Sequence, residues 1–190
     1  VSSEDLIKGL SLVVGFSSTS AVKPELSSIL MYSDHDWLYF VATDSFRLGE
    51  KRVKHKNTPE VKVLIPNKTA PDIIRAVSIS PGSISLSIHN HQLSIKSGPL
   101  FAVTRLVEGI FPDYKQIIPK KNSTTAVILK DDFARACKSL TPFSDNFGQA
   151  GISVMPNEKR FEMSTKNLDV GESQHAPGAT LTGEEISANF

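Results

Sequence analysis

Hydrophobic and polar positions alternate along this chain with two periods, and the places where the period changes mark its elements. "SSEDLIKGLSLVVGF" sets Leu6, Leu10, Val13 and Val14 on one helical face behind Ser2 or Ser3 as N-cap, with acids in the first turn. Past Pro24, "LSSILMYS" and "WLYFVAT" flank the turn "DHD" (Asp34 to Asp36) as a hairpin does, and "RLGEKRV" supplies a third strand. "VKVLIP" then runs into "NKTAPDIIRAV", a strand followed by a helix with Pro71 in its opening turn. "SISLSIHNHQLSIKS" alternates Ile84, Leu86 and Ile88 with serines, turns at "HNH", and resumes with Leu93 and Ile95, the mark of a half-buried antiparallel sheet. "LFAVTRLVEG" adds a strand, and "GIFPDYKQIIPKKNSTT" is a Pro- and Lys-bearing connector.

Beyond Thr125 the pattern starts again. "EDLIKGLSLVVGFSS" (Glu4 to Ser18) lies over "DDFARACKSLTPFSD" (Asp131 to Asp145), matching Asp5 with Asp132, Leu6 with Phe133 and Phe16-Ser17 with Phe143-Ser144. After a register shift, "VATDSFRLGE" (Val41 to Glu50) overlays "MSTKNLDVGE" (Met163 to Glu172). Thr43, Gly49 and Glu50 then meet Thr165, Gly171 and Glu172, while Asp44, Ser45 and Arg47 are replaced by Lys166, Asn167 and Asp169. Residues that recur are expected to be scaffold; whatever is special to the first copy lies in those that do not. Each unit reads as helix, strands, helix, strands, an α+β arrangement with helices collected on one face of a sheet, and the second copy ends after about half a unit.

Composition narrows the function. A hydrophobic content of 39% is enough for a buried core, and a net charge of +1 argues against holding nucleic acid through a large basic excess. The single Cys137 excludes an internal disulfide framework and a Cys-based zinc cage. "LSLVVGF" (Leu10 to Phe16) is the longest apolar run, far short of the roughly 20 residues that span a bilayer, so no membrane association is expected and the location expected is cytoplasmic. Because the chain begins with Val1 and "GEEISANF" stops in a strand-like pattern, a fragment is expected. Thr43, Asp44, Ser45 and Arg47 put a hydroxyl, a carboxylate and a guanidinium close together, but no His has the spacing to act as base, so a small hydrolase using Asp44 and Ser45 is the weaker alternative. His89 to His91 read as turn residues rather than a nuclease motif. Neither metal nor cofactor is called for.

"VATDSFRLGEKRV", "VLIPNKTAPDIIRAV" and above all "RLVEGIFPDYKQIIP" resemble the bacterial DNA polymerase III β subunit, the sliding clamp, in its middle domain. On that resemblance residues 1–121 form the middle clamp domain and 122–190 the beginning of the third. The resemblance implies a DNA-clamp fold, with antiparallel sheets outside and two helices per unit on the inner face. It further implies a non-catalytic homodimeric ring that encircles double-stranded DNA without sequence preference. The partners it implies are the polymerase III catalytic subunit, the clamp loader and other proteins carrying short clamp-binding peptides. Leu26, Thr43, Ser45, Arg47, Leu48, Pro112, Gln116 and Ile117 match positions of the family's peptide pocket. The chain departs from the family at Ser45 and Phe46, where Gly and His are common, and at Gln116, where Arg is common. The other reading is an α+β interaction module unrelated to replication.

Lys68 and Arg75 are seven residues apart and are expected on one face of the second helix, opposite Ile73, Ile74 and Val77. Arg135 and Lys138 fall likewise on the helix of the second copy, and Lys8 on the polar side of the first. An isolated Lys or Arg marks only a solvated helix face. The clamp resemblance makes these five the DNA-facing residues.

Overall fold

The computed structural model describes residues 1–55, 59–144 and 148–190. Asp145, the last residue of the first repeat overlay, lies outside them. The chain forms two compact units, Val1–Asp113 and Tyr114–Phe190, so the connector from Tyr114 to Lys121 falls in the second.

In the first unit, helix α1 (Ser3–Val13) opens as its sequence dictates: Ser2 has extended backbone angles and its hydroxyl accepts the Asp5 amide at 3.0 Å. A 3-10 turn, Val14–Phe16, ends it. Strands β1 (Ser28–Asp34), β2 (Trp37–Thr43), β3 (Leu48–Lys54) and β4 (Lys62–Pro66) make a four-stranded antiparallel sheet ordered β3-β2-β1-β4. Helix α2 (Ala70–Ser78) leads to a second sheet, β5 (Ser85–His89), β6 (Gln92–Ser97) and β7 (Leu100–Arg105), ordered β5-β6-β7. Asn90 and His91, both with positive φ, form the two-residue β5–β6 turn of the "HNH" stretch, and the His91 carbonyl also accepts the Leu106 amide at 2.7 Å.

Leu6, Leu10 and Val13 of α1 and Ile73 and Val77 of α2 are buried against Ile29, Met31, Phe40, Leu93 and Ile95 from both sheets. Each such side chain contributes about 1.5–3 kcal/mol over its exposed state, which is why the period-3.6 and period-2 stripes meet in one core. One expectation needs correcting. Lys68 does not share a helix face with Arg75, because α2 begins at Ala70 and Lys68 sits in the turn before it. That turn is fixed by the Thr69 and Ala70 amides donating to the Pro66 and Asn67 carbonyls. Arg75 does lie opposite the buried Ile73 and Val77.

The second unit contains β8 (Thr124–Ile128), α3 (Lys130–Leu140), a 3-10 turn at Thr141–Phe143, and strands β9 (Gly151–Met155), β10 (Arg160–Asn167), β11 (Gly171–His175), β12 (Ala179–Gly183) and β13 (Ile186–Asn189). Its four-stranded sheet is ordered β11-β10-β9-β13, and β12 pairs with β8. Ala136, Leu140, Val154, Phe161 and Met163 form its core.

The repeat is visible in the geometry. Both α1 and α3 run eleven residues into a three-residue 3-10 turn, and in each the next serine closes it: Ser17 Oγ donates to the Val14 carbonyl at 2.7 Å, Ser144 Oγ to that of Thr141 at 2.8 Å. Thr43 and Thr165 are both buried and both donate their hydroxyl to a backbone carbonyl. Gly49 and Gly171, in contrast, are not the same scaffold element. A Cβ at Gly49 would come within 2.6 Å of the Phe16 ring, whereas Gly171 has open space around it and a φ of +107°. One glycine admits a neighbour; the other makes a turn.

Candidate partner groove and helix cations

The stretch Val41 to Glu50 is the β2–β3 hairpin. Thr43 pairs with Leu48, and Ser45 and Phe46 form its tip. Thr43 Oγ1 donates to the Arg47 carbonyl at 2.8 Å and accepts the Ser45 amide at 3.1 Å. Asp44 Oδ1 accepts the amides of Phe46 at 3.0 Å and Arg47 at 2.7 Å, and Oδ2 accepts Arg47 Nε at 3.0 Å and Nη2 at 2.8 Å. The carboxylate thereby replaces a backbone acceptor in the turn and ties the guanidinium beside it. The Arg47 amide foremost, with its guanidinium and the Phe46 amide assisting against partial burial, lowers the Asp44 pKa from 3.8 to about 2. A carboxylate held ionised with four donors is not poised as a general base at neutral pH, which removes the chemistry that the hydrolase alternative requires.

The tip itself is unusual. Ser45 has a φ of +80°, a conformation that favours glycine, and Phe46 is 96% exposed. Arg47 reaches back with its guanidinium 5.9 Å from the centroid of Phe16, the ring that Gly49 admits. Of the residues that hold hairpin and 3-10 turn together, Phe16 and Gly49 recur by letter in the second copy and Arg47 does not.

Of the sequence-predicted groove residues, four, Thr43, Ser45, Arg47 and Leu48, come together on this hairpin. Leu48 is half-buried beside Thr43. Leu26 is buried, at 7% exposure, in the segment before β1, its carbonyl accepting the Ser18 amide at 2.8 Å. Pro112 is exposed near the end of the first unit. Gln116 and Ile117 belong to the second unit, where Gln116 ends the 3-10 turn Tyr114–Gln116 and Ile117, 67% exposed, donates its amide to the Tyr114 carbonyl. At that exposure Ile117 is not a core residue.

The predicted DNA-facing cations are all exposed. Three carry an acid of their own helix: Lys8 bonds Glu4, Arg75 bonds Asp72 at 2.8 Å, and Arg135 bonds Asp132. The Glu4 hydrogen bond foremost raises the Lys8 pKa above its ordinary value. Attention to cations alone misses these acids, although the three- and four-residue spacings are plain in the sequence. Each pair presents a dipole rather than a bare charge. Among the described residues no group of three or more His, Cys, Asp or Glu side chains could hold a metal ion, and no helix is long and apolar enough to cross a membrane.

Helices over antiparallel sheets, repeated within one chain, define a clamp-type α+β protein. The solved sliding clamp of Pseudomonas aeruginosa has the same fold, with a TM-score of 0.92 at 17% identity, covering 100% of this chain and 53% of that one. The family described as DNA polymerase III beta subunit, central domain, matches residues 2–113, and the chain belongs to that family. The beta sliding clamp of Synechococcus elongatus is 26% identical over 196 residues, covering 100% of this chain and 52% of that protein. That of Bacillus subtilis is 26% identical over 193 residues, covering 98% and 50% respectively. The chain therefore spans about half the length of the curated relatives it matches.

Proposed function

We propose that this chain supplies the middle domain and the start of the third domain of a DNA sliding clamp, residues 1–121 and 122–190 in the sequence division. In this reading the full-length protein is a non-enzymatic homodimeric ring around duplex DNA. The ring tethers the polymerase III catalytic subunit, the clamp loader and other partners, and tethering makes rebinding of a polymerase an intramolecular event at high effective concentration. The observation that carries the reading is the family match over residues 2–113.

Leu26, Thr43, Ser45, Arg47, Leu48, Pro112, Gln116 and Ile117 contribute to a groove for an extended peptide with Leu or Phe anchors. The half-buried Leu48 beside the ordered Thr43–Arg47 hairpin supports this, because an apolar wall flanked by fixed polar groups suits such a peptide. Lys8, Lys68, Arg75, Arg135 and Lys138 face the duplex. The acids paired with three of them suit a ring that must slide, since bare cations would grip phosphates more tightly.

The test is a chimera in which residues 1–113 replace the middle domain of a full-length relative's clamp, assayed for processive primer extension with its clamp loader and polymerase. Long products at clamp-dependent yield are expected. Products as short as those made without any clamp, from a chimera that size-exclusion chromatography shows to be dimeric, would refute the assignment.

A further inference from the structure

In the sheet β3-β2-β1-β4, Leu38, Phe40 and Ala42 point into the core beneath the helices, so Trp37, Tyr39 and Val41 project from the opposite face. Some of that opposite face is covered. Leu30 and Leu64 are buried there and line, with Val107 and Phe111, a cavity of about 690 Å³, and Leu64 forms a bridge with Val107.

Next to this covered region, a single register row crosses all four strands: Arg52 opposite Tyr39, Tyr39 opposite Tyr32, and Tyr32 opposite Lys62. The Tyr32 and Tyr39 rings stack with centroids 4.7 Å apart and planes 7° from parallel. Trp37 lies in the next row opposite Lys54, and the Arg52 guanidinium sits 4.8 Å from the centroid of its ring. Arg52, Lys54 and Lys62 are exposed and the three aromatics half-buried. The acids on or beside this face include Asp34, opposite Trp37 and bonded to His35, Glu50, opposite Val41, and Glu108, which lines the cavity together with Lys62 and pairs with His91.

We infer that this strip is a docking surface for single-stranded nucleic acid, with bases against the aromatic rings and phosphates on Arg52, Lys54 and Lys62. This concerns the sheet face turned away from the helices and goes beyond the clamp reading. Four strands at about 4.8 Å spacing span roughly 14 Å, the scale on which four-stranded sheets stack two or three bases. A duplex keeps its base faces inside the stack and engages only the cations, whereas a single strand satisfies rings and cations together. An acidic peptide segment uses the cations and leaves the rings without a role.

Trp37 is the only tryptophan in the chain and therefore reports on the strip directly. Titrating the 190-residue chain with oligo-dT at low salt should quench Trp37 fluorescence saturably, more strongly than duplex DNA or polyglutamate does, and less as salt rises. Arg52→Glu with Lys62→Glu should weaken oligo-dT binding at least tenfold, while Lys166→Ala, at an exposed cation of β10 in the second unit, leaves it unchanged. Lys54→Glu, on an edge strand, should weaken it about threefold through loss of one phosphate contact and carries the test if the double variant does not fold. The inference is overturned by absence of saturable quenching, by equal quenching with polyglutamate or duplex, or by unaltered affinity in a folded Arg52→Glu/Lys62→Glu or Lys54→Glu variant.

Discussion

Phe40 of β2 occupies the space that a side chain at Gly9 of α1 would need: a Cβ at Gly9 would lie 2.4 Å from the ring. Glycine in a helix interior costs about 1 kcal/mol relative to alanine, so propensity alone favours Gly9→Ala. The fully buried ring has nowhere to move, and overpacking of this kind costs about 1–3 kcal/mol. Gly9→Ala should therefore lower the melting temperature, and pairing it with Phe40→Leu should recover part of the loss. A stabilised single variant would contradict the close helix–sheet contact.

Ser45 holds a φ of +80° at the hairpin tip, where a Cβ is unfavourable. Ser45→Gly relieves that strain but gives the unfolded chain more freedom, and the balance should be stabilising by about 0.5–1 kcal/mol. A urea titration at constant m-value would register it as a higher midpoint.

Asp44 gives the hairpin a pH dependence. Its folded pKa is depressed from 3.8 to about 2, so its stabilising contribution is fully present above 3.8 and disappears as pH falls toward 2. Asp44→Asn keeps an acceptor for the turn amides and loses the charge that holds Arg47. The variant should melt below wild type at neutral pH, with the gap closing between about pH 4 and 2. A gap independent of pH would mean that the carboxylate's charge contributes nothing.

The main elements were legible because hydrophobic period and turn chemistry agree: Ser2 caps α1, His35 and Asp36 turn the first hairpin, and Pro71 opens α2. The repeat of helix, 3-10 turn and closing serine was legible too, since Phe16-Ser17 and Phe143-Ser144 hold the same spacing. Three features were not. Gly49 and Gly171 look alike in a one-dimensional overlay, because a glycine that admits a ring and one that takes a positive φ are the same letter. Lys68 falls at helical spacing from Arg75, yet spacing says nothing about whether both residues are inside the helix. The Asp44–Arg47 clasp required the fold, since only the turn brings both amides and the guanidinium onto one carboxylate.

The helix acids make a prediction opposite in sign to the cations. If Arg75 faces DNA, Asp72→Asn in the full-length clamp should steepen the salt dependence of binding, while Arg75→Ala should make it shallower by up to about one phosphate contact. Both variants change an exposed position, so melting should barely move. Identical salt slopes in wild type and both variants would remove α2 from the DNA-facing surface.

Leu48 tests the groove. It is half-buried, next to the buried Thr43 and ahead of Gly49, so truncating it removes apolar surface without opening the center of the core. In the full-length clamp, Leu48→Ala should weaken binding of a Leu- or Phe-bearing polymerase peptide by about 1–3 kcal/mol, roughly 5- to 150-fold in affinity. Ser45→Gly is the informative companion. It changes the same hairpin but not its apolar wall, so peptide affinity should shift far less than in Leu48→Ala. Calorimetric titration of the three proteins, with thermal melts alongside, separates the outcomes. Equal affinity in wild type and a folded Leu48→Ala variant would place the peptide site away from this hairpin.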